Sequence, residues 1–208
     1  MLSHRPLSLT GHGQPDAELQ YRRKREFAWH GPGTRGGAKI LGGQEVLDDL
    51  LVAGVRHIIF AFQDNPARLR LGELVQAEGF QLAAAVHATA SVAGDATVGA
   101  GTVIRAQSAV GPETDVGESC IIGYGAMISH SCTIEDGVYI SSGVNVAGGT
   151  GMGRGSWIGM GATVIDPNHV GSNSLVGVGA LVTHSISDNV VAHGVPASVV
   201  RRRDESTG

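Results

Sequence analysis

Sixteen aliphatic residues recur six apart without a slip: Val92, Val98, Ile104, Val110, Val116, Ile122, Ile128, Ile134, Ile140, Val146, Met152, Ile158, Val164, Val170, Val176 and Val182. A helix repeats its faces about every 3.6 residues and a flat strand about every 2, so neither yields this spacing. A period of six fits a chain that lays down a short strand, turns a corner and repeats. Three corners close a triangular coil of eighteen residues, and sixteen hexads make a little over five coils. Stacked at the usual strand separation, they build roughly 25 Å of prism whose interior is a column of Val and Ile.

The other phases agree. Two residues before each aliphatic the side chain is nearly always small, as in Ala90, Thr102, Ser108, Cys120, Ala126, Cys132 and Ala162. One residue after it Gly recurs, at Gly99, Gly111, Gly117, Gly123, Gly153, Gly159, Gly171 and Gly177. A bend with few steric limits is expected there. Upstream the pattern changes to α/β. Gln44–Ala53 predicts a short helix, 56–62 (RHIIFAF) a buried strand, Asp64–Glu78 a helix closed by Gly79, and Leu82–Val86 a second strand. The layout predicts an N-terminal α/β domain over 1–87 (with 1–35 atypical), the prism over 88–186 and a tail over 187–208.

Hexads of the form aliphatic-Gly-x-x-small-x resemble those of the hexapeptide acyltransferases, whose fold is a left-handed parallel β-helix. The hand comes from the resemblance, since parallel crossovers generally favour the right. Ile40-Leu41-Gly42-Gly43, Asp64-Asn65, Val86-His87 and the closing Ala192-His193-Gly194-Val195-Pro196-Ala197 with Arg201 resemble one subfamily, the sialic-acid O-acetyltransferase-like and nucleotide-amino-sugar N-acetyltransferases. These precede the β-helix with a small Rossmann-like domain that grips a nucleotide-sugar acceptor. Three departures stand out. Gly11-His12-Gly13 is all that resembles the subfamily's opening Gly-Gly-His-Gly loop, and the charged 18–26 (ELQYRRKRE) follows it. Ser131 replaces an acidic residue, and Ser198 replaces a Lys.

The resemblance implies acetyl-CoA as co-substrate and direct attack of an amine on the thioester. Such a reaction needs a base, an oxyanion donor and a groove for the coenzyme. His130-Ser131-Cys132 resembles the subfamily's His-Asp-Cys triplet, which makes His130 the base, and an imidazole of pKa about 6.5 suits that task. The eighteen-residue period places Glu113 one coil before Ser131, where its carboxylate could reach the imidazole. It also places Gly148 one coil after His130, where the resemblance gives its N–H the oxyanion. Tyr139, Met160-Gly161-Ala162 and Gly177 with Gly179 are expected along the coenzyme, and Gly11, His12, Gly13, Asp64 and Asn65 at the acceptor. Cys132 falls on an interior phase, which argues against a nucleophilic role.

Composition narrows the partners. The 208 residues carry a net charge of −4 with no basic stripe, which speaks against nucleic acid. No apolar run reaches the roughly 18 residues of a membrane span, and the opening MLSHRPLSLTGHG lacks a signal-peptide core, which predicts a cytoplasmic protein. No metal is expected, because His130 lacks the histidine partners of the β-helical carbonic anhydrases. A corner site needs a second wall, which a neighbouring prism can supply; the resemblance implies that it does so in a closed homotrimer. The preferred activity is N-acetylation of a nucleotide-linked amino sugar. The alternatives are O-acetylation of a sugar hydroxyl and a non-catalytic binding or scaffold protein that has lost its acceptor site.

Overall fold

Parallel ladders with a register of eighteen dominate the computed structural model. It describes residues 43–203 together with two short strands, Thr34–Arg35 and Ala38–Lys39, which pair antiparallel. Gly11, His12 and Gly13 lie outside the described residues. The chain divides into two compact units, Met1–Ile58 with Leu74–Gln81, and Ile59–Glu73 with Leu82–Gly208.

In the first unit a 3₁₀ turn at Gln44–Val46 leads into helix α1, Leu47–Val52. Gly54 adopts φ +88° just past its end, and the Gly54 and Val55 N–H groups donate to the carbonyls of Leu51 and Leu50. A left-handed glycine after the last turn supplies the reversal that an L side chain resists. Leu50, Ile58, Val75 and Phe80 are buried. The predicted strand over 56–62 shrinks to His57–Ile58, and the predicted Leu82–Val86 strand splits into Gln81–Leu82 and Ala85–Val86. Ala85–Val86 pairs with Val103–Ile104 and is therefore the first strand of the solenoid. Val86 sits six before Val92, on phase, with its side chain half exposed at the open end of the stack.

The second unit is a parallel β-solenoid of about six turns, one more than the sequence suggests. Each coil contributes a two-residue strand to each of three faces. The first face stacks Val103–Ile104, Ile121–Ile122, Tyr139–Ile140, Trp157–Ile158 and Leu175–Val176. The second stacks Ser91–Val92 through Leu181–Val182, and the third Thr97–Val98 through His169–Val170. Ile104 to Val182 line the interior and are almost wholly buried. Each such side chain contributes about 1.5–3 kcal/mol on leaving water. The last coil contracts by two residues: Val170 bridges Ile186, and Val176 pairs with Ala192. The chain then doubles back from Val190–Gly194 to Ala197–Arg202 as an antiparallel hairpin.

The corners correct one expectation. The glycine after each aliphatic does not supply the bend. A Cβ on Gly111 would lie 2.7 Å from Ser129 C, and one on Gly123 2.5 Å from Ser141 C, so glycine stands there because the next coil passes too close for a side chain. The bend comes two residues later, at left-handed positions such as Glu113, Ser131 and Gly149. The small interior phase also does more than save space. Thr102 and Thr114 hydroxyls donate to the carbonyls of Gly117 and Ser129, and Cys120 and Cys132 thiols to those of Glu135 and Ala147, always fifteen residues on. Corner carbonyls that cannot reach water thereby acquire donors from within the core.

Helix α2, Asn65–Ala77, begins in this unit and docks one corner of the solenoid. Asp64 caps it, its Oδ1 accepting the Ala67 N–H at 2.9 Å. Arg68, fully buried, donates to the Ser119 and Gly137 carbonyls, and Asn65 donates to those of Gly155 and Ser156. Ser119, Gly137 and Gly155 occupy the same corner position in three consecutive coils, so the helix grips a column of backbone oxygens.

Candidate active site

His130 and Gly148 occupy equivalent positions after strands Met127–Ile128 and Asn145–Val146, which pair residue for residue at eighteen. They meet at the corner between the second and third faces. The Gly149 N–H donates to the His130 carbonyl at 2.9 Å, locking the two turns together. The exposed imidazole lies over Gly148, where a Cβ would stand 2.5 Å from Nε2 and 2.6 Å from Cε1. Only glycine lets the ring lie there. Among the described residues the Gly148 N–H has no hydrogen-bond acceptor, so it can donate to a ligand. An imidazole that can accept a proton and an amide that can stabilise an oxyanion thus share one solvent-facing edge.

Glu113 stands one coil earlier at the same corner. Its carboxylate does not touch the imidazole directly. The Ser131 hydroxyl lies between them, 2.9 Å from Glu113 Oε2 and 3.3 Å from His130 Nδ1. Cys132 supports the corner from beneath, its thiol donating to the Ala147 and His130 carbonyls. Burial pushes that thiol's pKa upward. A buried sulfur facing two carbonyls is poorly placed to act as a nucleophile. Among the described residues no cluster of three or more His, Cys, Asp or Glu side chains is placed to hold a metal ion.

The other expected residues lie elsewhere. Met160, Gly161 and Gly179 are exposed at the corner between the first and second faces, with Gly177 beside them. Ala162 is buried in the core. The N–H groups of Gly161, Ala162, Gly177 and Gly179 are all taken by backbone carbonyls. Tyr139 is nine residues from His130, half a coil away, on the first face. Its ring is buried, its hydroxyl accepts from Gln63 Nε2 at 3.0 Å, and it meets Trp157 edge-on at 5.7 Å. Asn65 is also committed otherwise. It is 3 % exposed and, besides its two carbonyl contacts, accepts from Arg68. A direct contact with an acceptor is therefore revised to a structural clamp for Asn65, while Asp64 keeps a partly exposed carboxylate at the cap. The residue that sequence reasoning missed is Arg68. One of two Arg residues on a helix otherwise rich in Leu carries no motif, and its partners are mostly backbone oxygens.

No family model matches the chain. The structure is similar to that of PerB from Caulobacter crescentus, solved in complex with CoA and GDP-perosamine. The identity is 30% and the TM-score 0.79, over 79% of this chain and 80% of that one. It is also similar to the acetyltransferase domain of PglB from Neisseria gonorrhoeae in complex with acetyl coenzyme A, at 29% identity and a TM-score of 0.79 over 82% and 83% of the two chains. A curated relative, a galactoside O-acetyltransferase of Lactococcus lactis, is 51% identical over 37 residues, only 18% of either chain. With such identity to PerB across four fifths of both chains, and with a β-solenoid closed every eighteen residues, this chain belongs to the hexapeptide-repeat acyltransferases, the left-handed β-helix family of the nucleotide-amino-sugar N-acetyltransferases.

Proposed function

We propose that the protein transfers the acetyl group of acetyl-CoA to the amino group of a nucleotide-linked amino sugar. The observation that carries this reading is the His130 imidazole lying over Gly148 on an exposed corner. It is supported by relatives solved with CoA, acetyl-CoA and a nucleotide-linked amino sugar. The acceptor's neutral amine attacks the thioester carbonyl carbon and a C–N bond forms. The Gly148 N–H donates to the developing oxyanion, and His130 takes the proton that the nitrogen sheds. The C–S bond then breaks, and the CoA thiolate leaves with the proton returned by the imidazolium.

The site is completed by a second copy of the chain. His130 with Gly148 occupies one edge of the second face, Met160 with Gly161 and Gly179 the other, and Tyr139 lies half a coil away. No single prism brings these three to one point. The second face and its edges expose Tyr124, Met127, Met160 and Val178, an apolar surface suited to self-association in a closed homotrimer. The pantetheine arm carries amide N–H groups that need acceptors. With the N–H groups of Gly161, Ala162, Gly177 and Gly179 already engaged, their corners offer carbonyls. The segment before the solenoid is read as a small Rossmann-like domain that holds the nucleotide sugar; its expected loop, Gly11-His12-Gly13, lies outside the described residues. Among the described residues no helix is long and apolar enough to cross a membrane.

The test is release of free CoA thiol from acetyl-CoA across UDP-, dTDP- and GDP-linked amino sugars, with the sugar product weighed by mass spectrometry. One of these acceptors should gain a single acetyl group on nitrogen. Acetylation on a hydroxyl would favour the second reading, prompted by the short match to a galactoside O-acetyltransferase. Binding of acetyl-CoA with no transfer to any acceptor would make the protein a binding module.

A further inference from the structure

The hydroxyl between Glu113 and His130 decides which imidazole nitrogen is the base. Ser131 Oγ carries one proton. At 2.9 Å from a carboxylate oxygen, that proton goes to Glu113 Oε2, because an ionised carboxylate can only accept. Oγ is then left with lone pairs alone toward His130 Nδ1, 3.3 Å away, so Nδ1 must be the donor. A neutral imidazole protonated on Nδ1 keeps its lone pair on Nε2. Nε2 is the ring atom lying nearest to where a Cβ on Gly148 would stand. We infer that Glu113 fixes the tautomer of His130 through Ser131, so that the basic nitrogen points at the Gly148 edge. Glu113 and Ser131 are positioning residues, and the tautomer is assigned from the hydrogen-bond network. The inference rests on the reading of His130 as the base.

The arrangement answers the chain's departure from its subfamily. Where the subfamily places an acidic residue beside the histidine, this chain places a serine, and a carboxylate one coil away replaces the missing charge. The eighteen-residue register makes the exchange possible, since position 131 stacks directly on position 113. Both residues sit in the left-handed region, Glu113 at φ +55° and Ser131 at φ +54°, while the next coil has Gly149 there at φ +64°. Glycine suits that backbone better than either side chain. Ser131→Gly therefore removes the hydroxyl without straining the turn, and a loss of function cannot be put down to misfolding.

Long-range ¹H–¹⁵N correlation spectra of the full-length protein, ¹⁵N-labelled at histidine, read the tautomer directly and need no acceptor. At about pH 8, where a free imidazole is neutral, His130 should appear as the Nδ1–H form. It should move toward the Nε2–H form in both Ser131→Gly and Glu113→Gln. An Nε2–H ring in the unmodified protein, or a tautomer indifferent to both substitutions, would overturn the inference. Kinetics give the second arm. Each single variant should lose about tenfold in kcat with little change in KM for acetyl-CoA, a usual consequence of losing an orienting partner. The double variant should lose no more than either alone, and Ser131→Asp should rescue Glu113→Gln by restoring a carboxylate beside the ring. Losses that multiply in the double variant would contradict the relay. These outcomes are separate from the fate of the base itself, which is read from His130→Ala.

Discussion

His130→Ala should lower kcat by about a thousandfold while the protein stays folded. A positioned general base contributes roughly 10²–10⁴ to a rate, and among the described residues the three atoms nearest a Cβ on Gly148 all belong to the His130 ring. Structurally the ring is almost dispensable. It is exposed, it sits outside the apolar column, and among the described residues its one side-chain hydrogen bond is to Ser131. The bond that ties its turn to the next coil, from the Gly149 N–H, is to a backbone carbonyl and survives the substitution. The midpoint of thermal unfolding and the affinity for acetyl-CoA should therefore stay close to those of the unmodified protein. Steady-state kinetics on the acceptor found by the CoA-release screen check this, and a kcat within tenfold of normal would remove His130 from the chemistry.

Arg68→Met should destabilise the second unit by about 3–5 kcal/mol, because it leaves several buried acceptors unsatisfied at once. The guanidinium is wholly buried and donates to four oxygens: Ser119 O at 2.6 Å, Gly137 O at 2.8 Å, Phe62 O at 2.9 Å and Asn65 Oδ1 at 3.0 Å. Desolvation pulls its pKa down to about 10, and no carboxylate pairs with it among the described residues. Charge–dipole contacts to carbonyls at the corner are what offset its burial. Methionine matches the stem but offers no donor, so these acceptors lose their partner in a site that water does not reach, each at about 1–3 kcal/mol before relaxation. Arg68→Lys should fall between, because one ammonium cannot span two coils as a planar fork does. Urea unfolding followed by circular dichroism measures both. A loss below about 1 kcal/mol for Arg68→Met would show that the helix is held by its apolar contacts instead.

What could be read from the amino-acid sequence was what sterics write into it. The six-residue phase of Val and Ile survives because only one orientation per hexad faces the interior, and from it came the coil length, the stacking of His130 on Gly148 and the column shared by Glu113 and Ser131. Contacts to backbone atoms left no such trace. Arg68 and Asn65 recognise carbonyls, which every residue has, so neither could be distinguished from a surface residue of an amphipathic helix. The resemblance singled out Asp64-Asn65 but gave no sign of the burial of Asn65. The glycine phase was noticed for the wrong reason, close approach and left-handed backbone being separated by two residues within each corner. The shortened last coil was invisible because Asp188 stands where the phase calls for an aliphatic, while Ile186 and Ala192, at a spacing of sixteen, carry the ladder on.

The most direct test of the account is the kcat of Gly148→Ala. Gly148 has no left-handed backbone to protect, so alanine is tolerated by the chain itself. Its Cβ would stand 2.5 Å from Nε2 of an exposed and movable ring, which must swing aside. A displacement near 1 Å at a reacting group costs about a hundredfold in rate. The account predicts that loss in kcat with the unfolding midpoint and acetyl-CoA binding unchanged. A Gly148→Ala variant that turns over at the normal rate would show that the imidazole and the Gly148 amide do not act on one thioester.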